Sequence, residues 1–99
     1  MIQRIVCFKF KTGATNEAIW KHMDHFARLQ DDISQITGYS GSLTCPDEHG
    51  TPPDYDCLHY VTFNNMEDVR VYFYHPAHQE FIEQHKALWE DVLVLNAGE

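Results

Sequence analysis

The chain has few positive charges. Seven lysines and arginines stand against fifteen acidic residues among its 99 residues, giving a formal net charge of −8. Nucleic acids and anionic membranes both require a basic patch, so neither is an expected partner. No apolar run approaches the roughly 20 residues that a membrane span needs. The first residues, Met1 to Val6, lack a signal-peptide pattern. The sequence therefore predicts a cytoplasmic protein with no membrane partner.

Motifs for cofactor binding and covalent catalysis are also missing. The sequence contains no glycine-rich phosphate loop and no nucleophile elbow. Its three cysteines, Cys7, Cys45 and Cys57, are odd in number and lack zinc-type spacing. We expect all three to be reduced thiols without a disulfide. We predict no organic cofactor and no bound metal.

The chain does contain alternating strand and helix patterns, with no repeat and no domain boundary. Residues 1–99 are therefore expected to form one domain, and a hydrophobic content of 43% is enough for a core. Periodicity predicts strands over 2–10, 38–45, 55–63 and 92–95, and helices over 15–33, 65–73 and 76–89. The order β-α-β-β-α-α-β is typical of an α+β, ferredoxin-like sandwich, in which helices cover one face of a four-stranded antiparallel sheet.

The predicted sheet has apolar residues on both faces. Because the helices cover only one face, the other must be buried in some other way. A second copy packed sheet to sheet would bury it. We therefore expect a homodimer that associates through Ile5, Cys7, Leu58 and Tyr60.

The segment from Tyr72 to Phe81 is the most informative stretch for function. Pro76 is suited to the first position of a helix, which places His78 in the first turn. The positive end of the helix dipole disfavours a charged imidazole there. A neutral His78 near Tyr72 could serve as a general base. The alternative is that His78 is a packed helix cap.

Three further polar residues lie on otherwise apolar faces. Arg4 shares a strand face with Val6, His22 falls in a helical apolar stripe, and His59 alternates with apolar strand residues. Together with His78 they are predicted to converge between helices and sheet. A buried arginine there would need an internal partner or an anionic ligand. The predicted substrate-binding residues are Arg4, His22, His59, Phe26, Phe81 and Trp89.

These features resemble the stress-responsive A/B barrel (Dabb) domain family. The resemblance rests on the strand Ile5–Lys11, the segment Tyr72…His75-Pro-Ala-His-Gln79 and Trp89, and it covers nearly the whole chain. It implies a dimeric α+β barrel. The family includes a plant polyketide cyclase that closes a poly-β-ketone by aldol condensation without metal or organic cofactor. The catalytic pair of that cyclase matches His78 and Tyr72.

Other pocket positions depart from the cyclase pattern. Arg4 replaces a histidine, Phe26 a tyrosine, His22 an aromatic residue and His59 an aliphatic one. The resemblance therefore implies a pocket that is more polar than an alkyl-binding site. It favours a small anionic or carbonyl-containing ligand.

Three functions remain open. The first is a cofactor-independent lyase, cyclase or isomerase, in which His78 removes a proton next to a carbonyl and Arg4 binds the resulting anion. Tyr72 would orient His78 or hold the enolate oxygen. The second is a non-catalytic stress or ligand-binding dimer with structural histidines. The third is a metal-dependent or oxygen-using enzyme, because His59, His22 and His78 could together reach a metal.

Overall fold

The structure, a computed structural model, describes residues 1–98 of the chain. The elements in chain order are β1 (Ile2–Phe10), α1 (Asn16–Asp32), β2 (Gly38–Leu43), β3 (Cys57–Phe63), α2 (Met66–Tyr74), α3 (Pro76–His85), a 3-10 turn (Lys86–Leu88) and β4 (Trp89–Gly98). The predicted order of strands and helices is confirmed. Strands β2 and β3 are each about two residues shorter than predicted on the side of the loop that joins them.

The four strands form one antiparallel sheet in the order β2-β3-β1-β4. Strand β1 lies in the centre, where Arg4 is paired with Val61 of β3 and with Asn96 of β4. Side chains at even positions of β1 face the helices, and those at odd positions face away from them. This is the ferredoxin-like arrangement that the sequence predicts.

Helix α1 is held to the sheet by its predicted apolar stripe. The Thr15 side chain accepts a hydrogen bond from the backbone N–H of Ala18 and so caps the first turn. The buried residues of the helix are His22, Met23, Phe26 and Leu29. Within the described residues, no helix is both long enough and apolar enough to cross a membrane.

The end of the chain departs from the sequence-based expectation. Helix α3 ends at His85, and Trp89 belongs to β4, where it pairs with Phe10. The prediction that the helical stripe continues to Trp89 is therefore wrong. Strand β4 is also much longer than the predicted 92–95, because the long central strand β1 offers a free edge along its whole length.

The face of the sheet away from the helices carries two apolar rows. One row crosses the sheet through Leu58, Cys7 and Leu93, and the next row crosses through Tyr60, Ile5 and Leu95. Leu58, Leu93 and Leu95 are 37%, 36% and 56% exposed, so both rows present apolar surface to solvent. The helix-facing side carries the core, although Val92 and Val94 of β4 are 38% and 40% exposed there. We call the two rows the outer apolar face.

The structure contains no disulfide among the described residues, since all three cysteines are free. Cys7 and Cys57 are buried, and burial raises the pKa of both thiols, to about 12 for Cys57. Cys45 is exposed. We therefore expect a thiol reagent to modify Cys45 rapidly in the native protein and all three cysteines after unfolding. A count of two fewer thiols in the unfolded, unreduced protein would contradict this expectation.

Candidate active site

The junction between α2 and α3 sets the position of His78. Pro76 has no N–H to continue α2, and the His75 side chain caps α3 by accepting a hydrogen bond from Ala77 N–H at 3.0 Å. The last carbonyls of α2 therefore lack helical partners. The carbonyl of Phe73 accepts a hydrogen bond from His78 Nδ1 at 2.8 Å instead. The helix cap is thus His75, and His78 is free of that role.

This hydrogen bond selects the tautomer of His78. A carbonyl can only accept, so the proton lies on Nδ1 and the lone pair on Nε2. The Gln79 side chain donates to the same carbonyl at 2.7 Å, which further fixes its position. The Nε2 atom of His78 is consequently the one that can take up a proton.

Burial keeps the His78 imidazole neutral. It lowers the pKa of His78 below the ordinary value of 6.5; the hydrogen bond to Phe73 opposes this effect, and the charge of Arg4 adds to it. The sequence predicted a neutral imidazole from the helix dipole. The direction agrees, but the main cause is desolvation.

Arg4 is a buried cation without a carboxylate partner. It is 8% exposed, and among the described residues no acidic side chain forms an ion pair with it. Its Nη1 donates to the side-chain oxygen of Asn96 at 3.1 Å, while its buried Nε has no hydrogen-bond partner. A guanidinium in this state retains donors for a ligand.

Tyr72 lies between Arg4 and His78. The centroid of its ring is 4.4 Å from the centroid of the His78 ring. The same centroid is 5.7 Å from the guanidinium carbon of Arg4. Burial raises the pKa of Tyr72 to about 12, although the nearby Arg4 opposes the rise. Within the described chain the hydrogen-bonding group that orients His78 is the Phe73 carbonyl, so Tyr72 supports His78 by ring packing.

Arg4, Tyr72 and His78 line a cavity of about 110 Å³ between the helices and the β4 side of the sheet. Nine of its twelve lining residues are apolar, and they include the predicted Phe26, Phe81 and Trp89. The buried indole Nε1 of Trp89 also lacks a hydrogen-bond partner. Indole and guanidinium groups only donate, so the complementary ligand group is an acceptor such as a carbonyl oxygen or an anion.

Two wider grooves flank Trp20 on another part of the surface, with volumes of about 410 and 430 Å³. Neither groove has a buried titratable side chain in its lining. The cavity with Arg4 and His78 is smaller but combines a base with a cation. It is therefore the candidate active site.

His22 and His59 do not line this cavity. Both are fully buried, but the rings of Phe8 and Phe26 lie between them and the cavity. All four predicted polar groups are buried between helices and sheet, but only Arg4 and His78 of the four line this cavity. A helical stripe and a strand face identify the side that a residue faces, but they do not give its lateral position in the layer.

His22 and His59 instead form a second cluster with Cys57. The nitrogen atoms of the two imidazoles and the Cys57 sulfur lie within 4.8 Å of one another. Burial lowers the pKa of both histidines to about 3, so each is neutral. The sequence-based metal hypothesis placed His78 with these histidines, but Cys57 occupies that place. The alternation of Cys57 and His59 along one strand was the signal that could have indicated it.

His25 and His85 extend this cluster toward the surface. His25 Nδ1 and His85 Nε2 are 2.9 Å apart, and the His85 ring is 5.3 Å from the His22 ring. The His25 ring packs against the rings of Phe81 and His85 on α3. The apolar pattern of one helix does not predict which residues contact another helix.

Comparison with known proteins agrees with this class of fold, a ferredoxin-like domain. The model of the stress-responsive A/B barrel domain matches residues 2–97. The chain therefore belongs to the stress-responsive A/B barrel domain family, as the sequence predicted. A sequence comparison with curated proteins gives no significant match.

Several solved structures share the fold. A hydroxynitrile lyase from Passiflora edulis superposes with a TM-score of 0.87 at 20% identity, covering 97% of this chain and 90% of that one. A dimeric ferredoxin-like protein from Thermobifida fusca has a TM-score of 0.82 at 16% identity, covering 99% and 90%. A Dabb family protein from Mesorhizobium loti has a TM-score of 0.81 at 16% identity, covering 99% and 95%. At sequence identities this low, the structural similarity establishes the fold alone.

Proposed function

We propose that the protein is a cofactor-independent lyase, cyclase or isomerase that acts by acid–base chemistry on a small carbonyl compound. The observation that carries the proposal is the pairing of His78 with Arg4. His78 is neutral with its Nε2 lone pair available, and Arg4 is a buried cation in the same cavity without a counter-ion among residues 1–98. A base beside an unpaired cation is the arrangement needed to form and stabilise an anion.

The chemical step follows from these two groups. His78 Nε2 takes a proton from the carbon next to the substrate carbonyl, leaving an imidazolium and an enolate. Arg4 holds the enolate oxygen by a charge-assisted hydrogen bond. Return of the proton to a different atom completes an isomerisation. In an aldol-type closure the enolate carbon instead attacks a second carbonyl, and the alkoxide that forms takes the proton back from the His78 imidazolium. The Tyr72 ring packs on His78.

The cavity restricts the substrate mainly by size. The sequence predicted a pocket too polar for an alkyl chain, yet most of the lining is apolar. A volume of about 110 Å³ is smaller than the apolar cavity of roughly 150 Å³ that admits benzene in another protein. The expected substrate is therefore a compact molecule with one acceptor or anionic group directed at Arg4 and an apolar remainder.

The related fold of a hydroxynitrile lyase supports lyase chemistry as one form of the proposal. A hydroxynitrile releases cyanide when its hydroxyl loses a proton, so a base and a site for a small anion would again be needed. A test panel should accordingly contain small 2-hydroxynitriles as well as β-keto acids and β-diketones.

The function is tested by proton exchange into heavy water. Incubation of the panel with the protein should exchange the proton α to the carbonyl of at least one compound, which proton NMR detects without knowledge of the product. Cyanide release is measured separately for the hydroxynitriles. If no compound that shifts the melting temperature undergoes exchange or cleavage, the non-catalytic binding function is favoured.

We further propose that the protein acts as a homodimer joined through the outer apolar face. Proteins of the same fold from Thermobifida fusca and Bacteroides fragilis are described as dimeric. In this chain Leu58, Leu93 and Leu95 of these two rows are exposed on the sheet. Sheet-to-sheet packing of two copies would bury both rows.

Small carboxylates should stabilise the protein through Arg4. In the parent protein we expect millimolar acetate- to acetoacetate-sized anions to raise the melting temperature. Arg4→Met keeps the aliphatic volume but removes the charge, and it should abolish most of this response, because a hydrogen bond to a charged group contributes roughly 1.5–3 kcal/mol. Arg70→Met changes an exposed arginine and is the matched control. An equal anion response in Arg4→Met would exclude Arg4 as the anion site.

The pH profile of kcat/KM should report the lowered pKa of His78. The base acts in its neutral form, so activity should fall as pH decreases through that pKa and stay level above it. Since burial lowers the pKa, the acid limb should have its midpoint below the ordinary histidine value of 6.5. A midpoint above 6.5 would mean that a charged partner, not burial, dominates the environment of the base.

A further inference from the structure

We propose that His22, Cys57 and His59 form a metal site for a single monovalent copper ion in the core of the domain. The site is separate from the Arg4 cavity and independent of the acid–base function. Each residue offers one ligand atom, and these atoms lie within 4.8 Å of one another. All three side chains are fully buried, so the atoms face each other without intervening bulk solvent.

The hydrogen bonds of the two histidines provide an independent reason for a ligand. His22 is 0% exposed, and neither of its ring nitrogens has a hydrogen-bond partner in the part of the chain that the structure describes. Buried polar atoms are nearly always paired, so an imidazole with two unpaired nitrogens calls for an explanation. A metal ion on one nitrogen would satisfy it.

His59 has the supporting contact typical of a metal ligand. Its Nδ1 is 2.8 Å from the Tyr39 hydroxyl, while its Nε2 is 3.9 Å from the Cys57 sulfur. Metal-binding histidines generally use their second nitrogen for such a contact, which fixes the ring. Gly41 lies opposite His59 in the sheet, and a Cβ there would collide with the Tyr39 hydroxyl. The absence of a side chain at Gly41 therefore leaves room for the contact between Tyr39 and His59.

The ligand set and burial together favour Cu⁺. Thiolate and imidazole are ligands that Cu⁺ and Zn²⁺ both accept. Zn²⁺ is almost always four-coordinate in structural sites, whereas only three ligand atoms meet here within the described chain. Binding of Cu⁺ would displace the proton of the Cys57 thiol into solvent. Cu⁺ with one thiolate and two neutral imidazoles has no net charge, so it avoids the penalty of placing a net cation in a dry core.

A route for the ion is visible in the other histidines. His25 is partly exposed and contacts His85, whose ring is 5.3 Å from His22. The His22 ring is in turn 5.8 Å from the His59 ring. A series of neighbouring imidazoles therefore connects the surface with the three ligands. A metal site needs such an entry path.

The test is an anaerobic titration of untagged, reduced, metal-free protein with Cu⁺ in competition with a chromophoric Cu⁺ chelator. We expect one equivalent per chain, and X-ray absorption at the copper edge should show one sulfur and two nitrogen ligands. Cys57→Ser should weaken binding by more than the roughly 10–100-fold that loss of a supporting contact causes. Tyr39→Phe should fall within that range and keep the stoichiometry. Cys45→Ser changes an exposed thiol and should bind as the parent does.

A second variant keeps the result interpretable if Cys57→Ser does not fold. His22→Phe replaces an imidazole with unpaired nitrogens by an apolar ring, so the metal-free variant should melt no lower than the parent while losing the copper. Full binding by His22→Phe or Cys57→Ser, loss of binding in Cys45→Ser, or uptake of Zn²⁺ but not Cu⁺ would each overturn the proposal.

Discussion

His78→Ala is expected to lower kcat/KM by at least about 100-fold on any compound that the exchange panel identifies, because a positioned general base contributes roughly 10²–10⁴-fold. The substitution removes the Nε2 lone pair and leaves Arg4 in place. Binding of a carboxylate, followed by thermal shift, should therefore persist while turnover is lost. Steady-state kinetics and the exchange assay provide the measurement.

Two companion variants separate catalysis from structure. His78→Asn retains a side-chain donor for the Phe73 carbonyl but has no base, so it should fold like the parent and remain inactive. His75→Asn replaces the capping histidine by a residue that caps well, and it should remain active. Tyr72→Phe keeps the ring packed on His78 and should cost less than tenfold, roughly 1.4 kcal/mol. An active His78→Asn would mean that the base lies elsewhere.

The helix–sheet layout followed from local patterns because each element contains its own signals. Thr15 as a cap and the stripe through Phe26 define α1, and alternation defines β1 and β3. The extent of β4 could not be predicted in the same way. It depends on pairing with the far edge of β1, which is a long-range contact, and Trp89 satisfies both a helical stripe and a strand face.

The candidate site was predictable where its position depends on residues that are adjacent in the sequence. Pro76 marks the helix start and thereby the place of His78. The partner that selects the His78 tautomer was missed because it is the backbone carbonyl of Phe73, although a proline after a helix implies that such a carbonyl is free. His22 and His59 were assigned to the wrong cluster because the intervening rings of Phe8 and Phe26 come from two other elements.

Leu93→Asp should dissociate the proposed homodimer. Leu93 lies in the outer apolar face beside Cys7, and a two-fold interface would contain the new charge twice. An ion that loses its water on burial costs several kcal/mol. Two such ions should raise the dimer dissociation constant by roughly 10⁴-fold, since each 1.4 kcal/mol corresponds to tenfold. Sedimentation at micromolar concentration should then show one chain mass for the variant and twice that mass for the parent.

Leu43→Asp is the matched control for this experiment. Leu43 is 41% exposed, close to the 36% of Leu93, but its pairing with Cys57 places it on the helix side of the sheet. It should leave the dimer intact if the outer apolar face forms the interface. Dissociation by Leu43→Asp but not by Leu93→Asp would move the interface to the helix side, and a monomeric parent would contradict the dimer altogether. Loss of folding in Leu93→Asp alone would mean that the domain requires its partner, because a chain of 99 residues buries a modest share of its surface by itself.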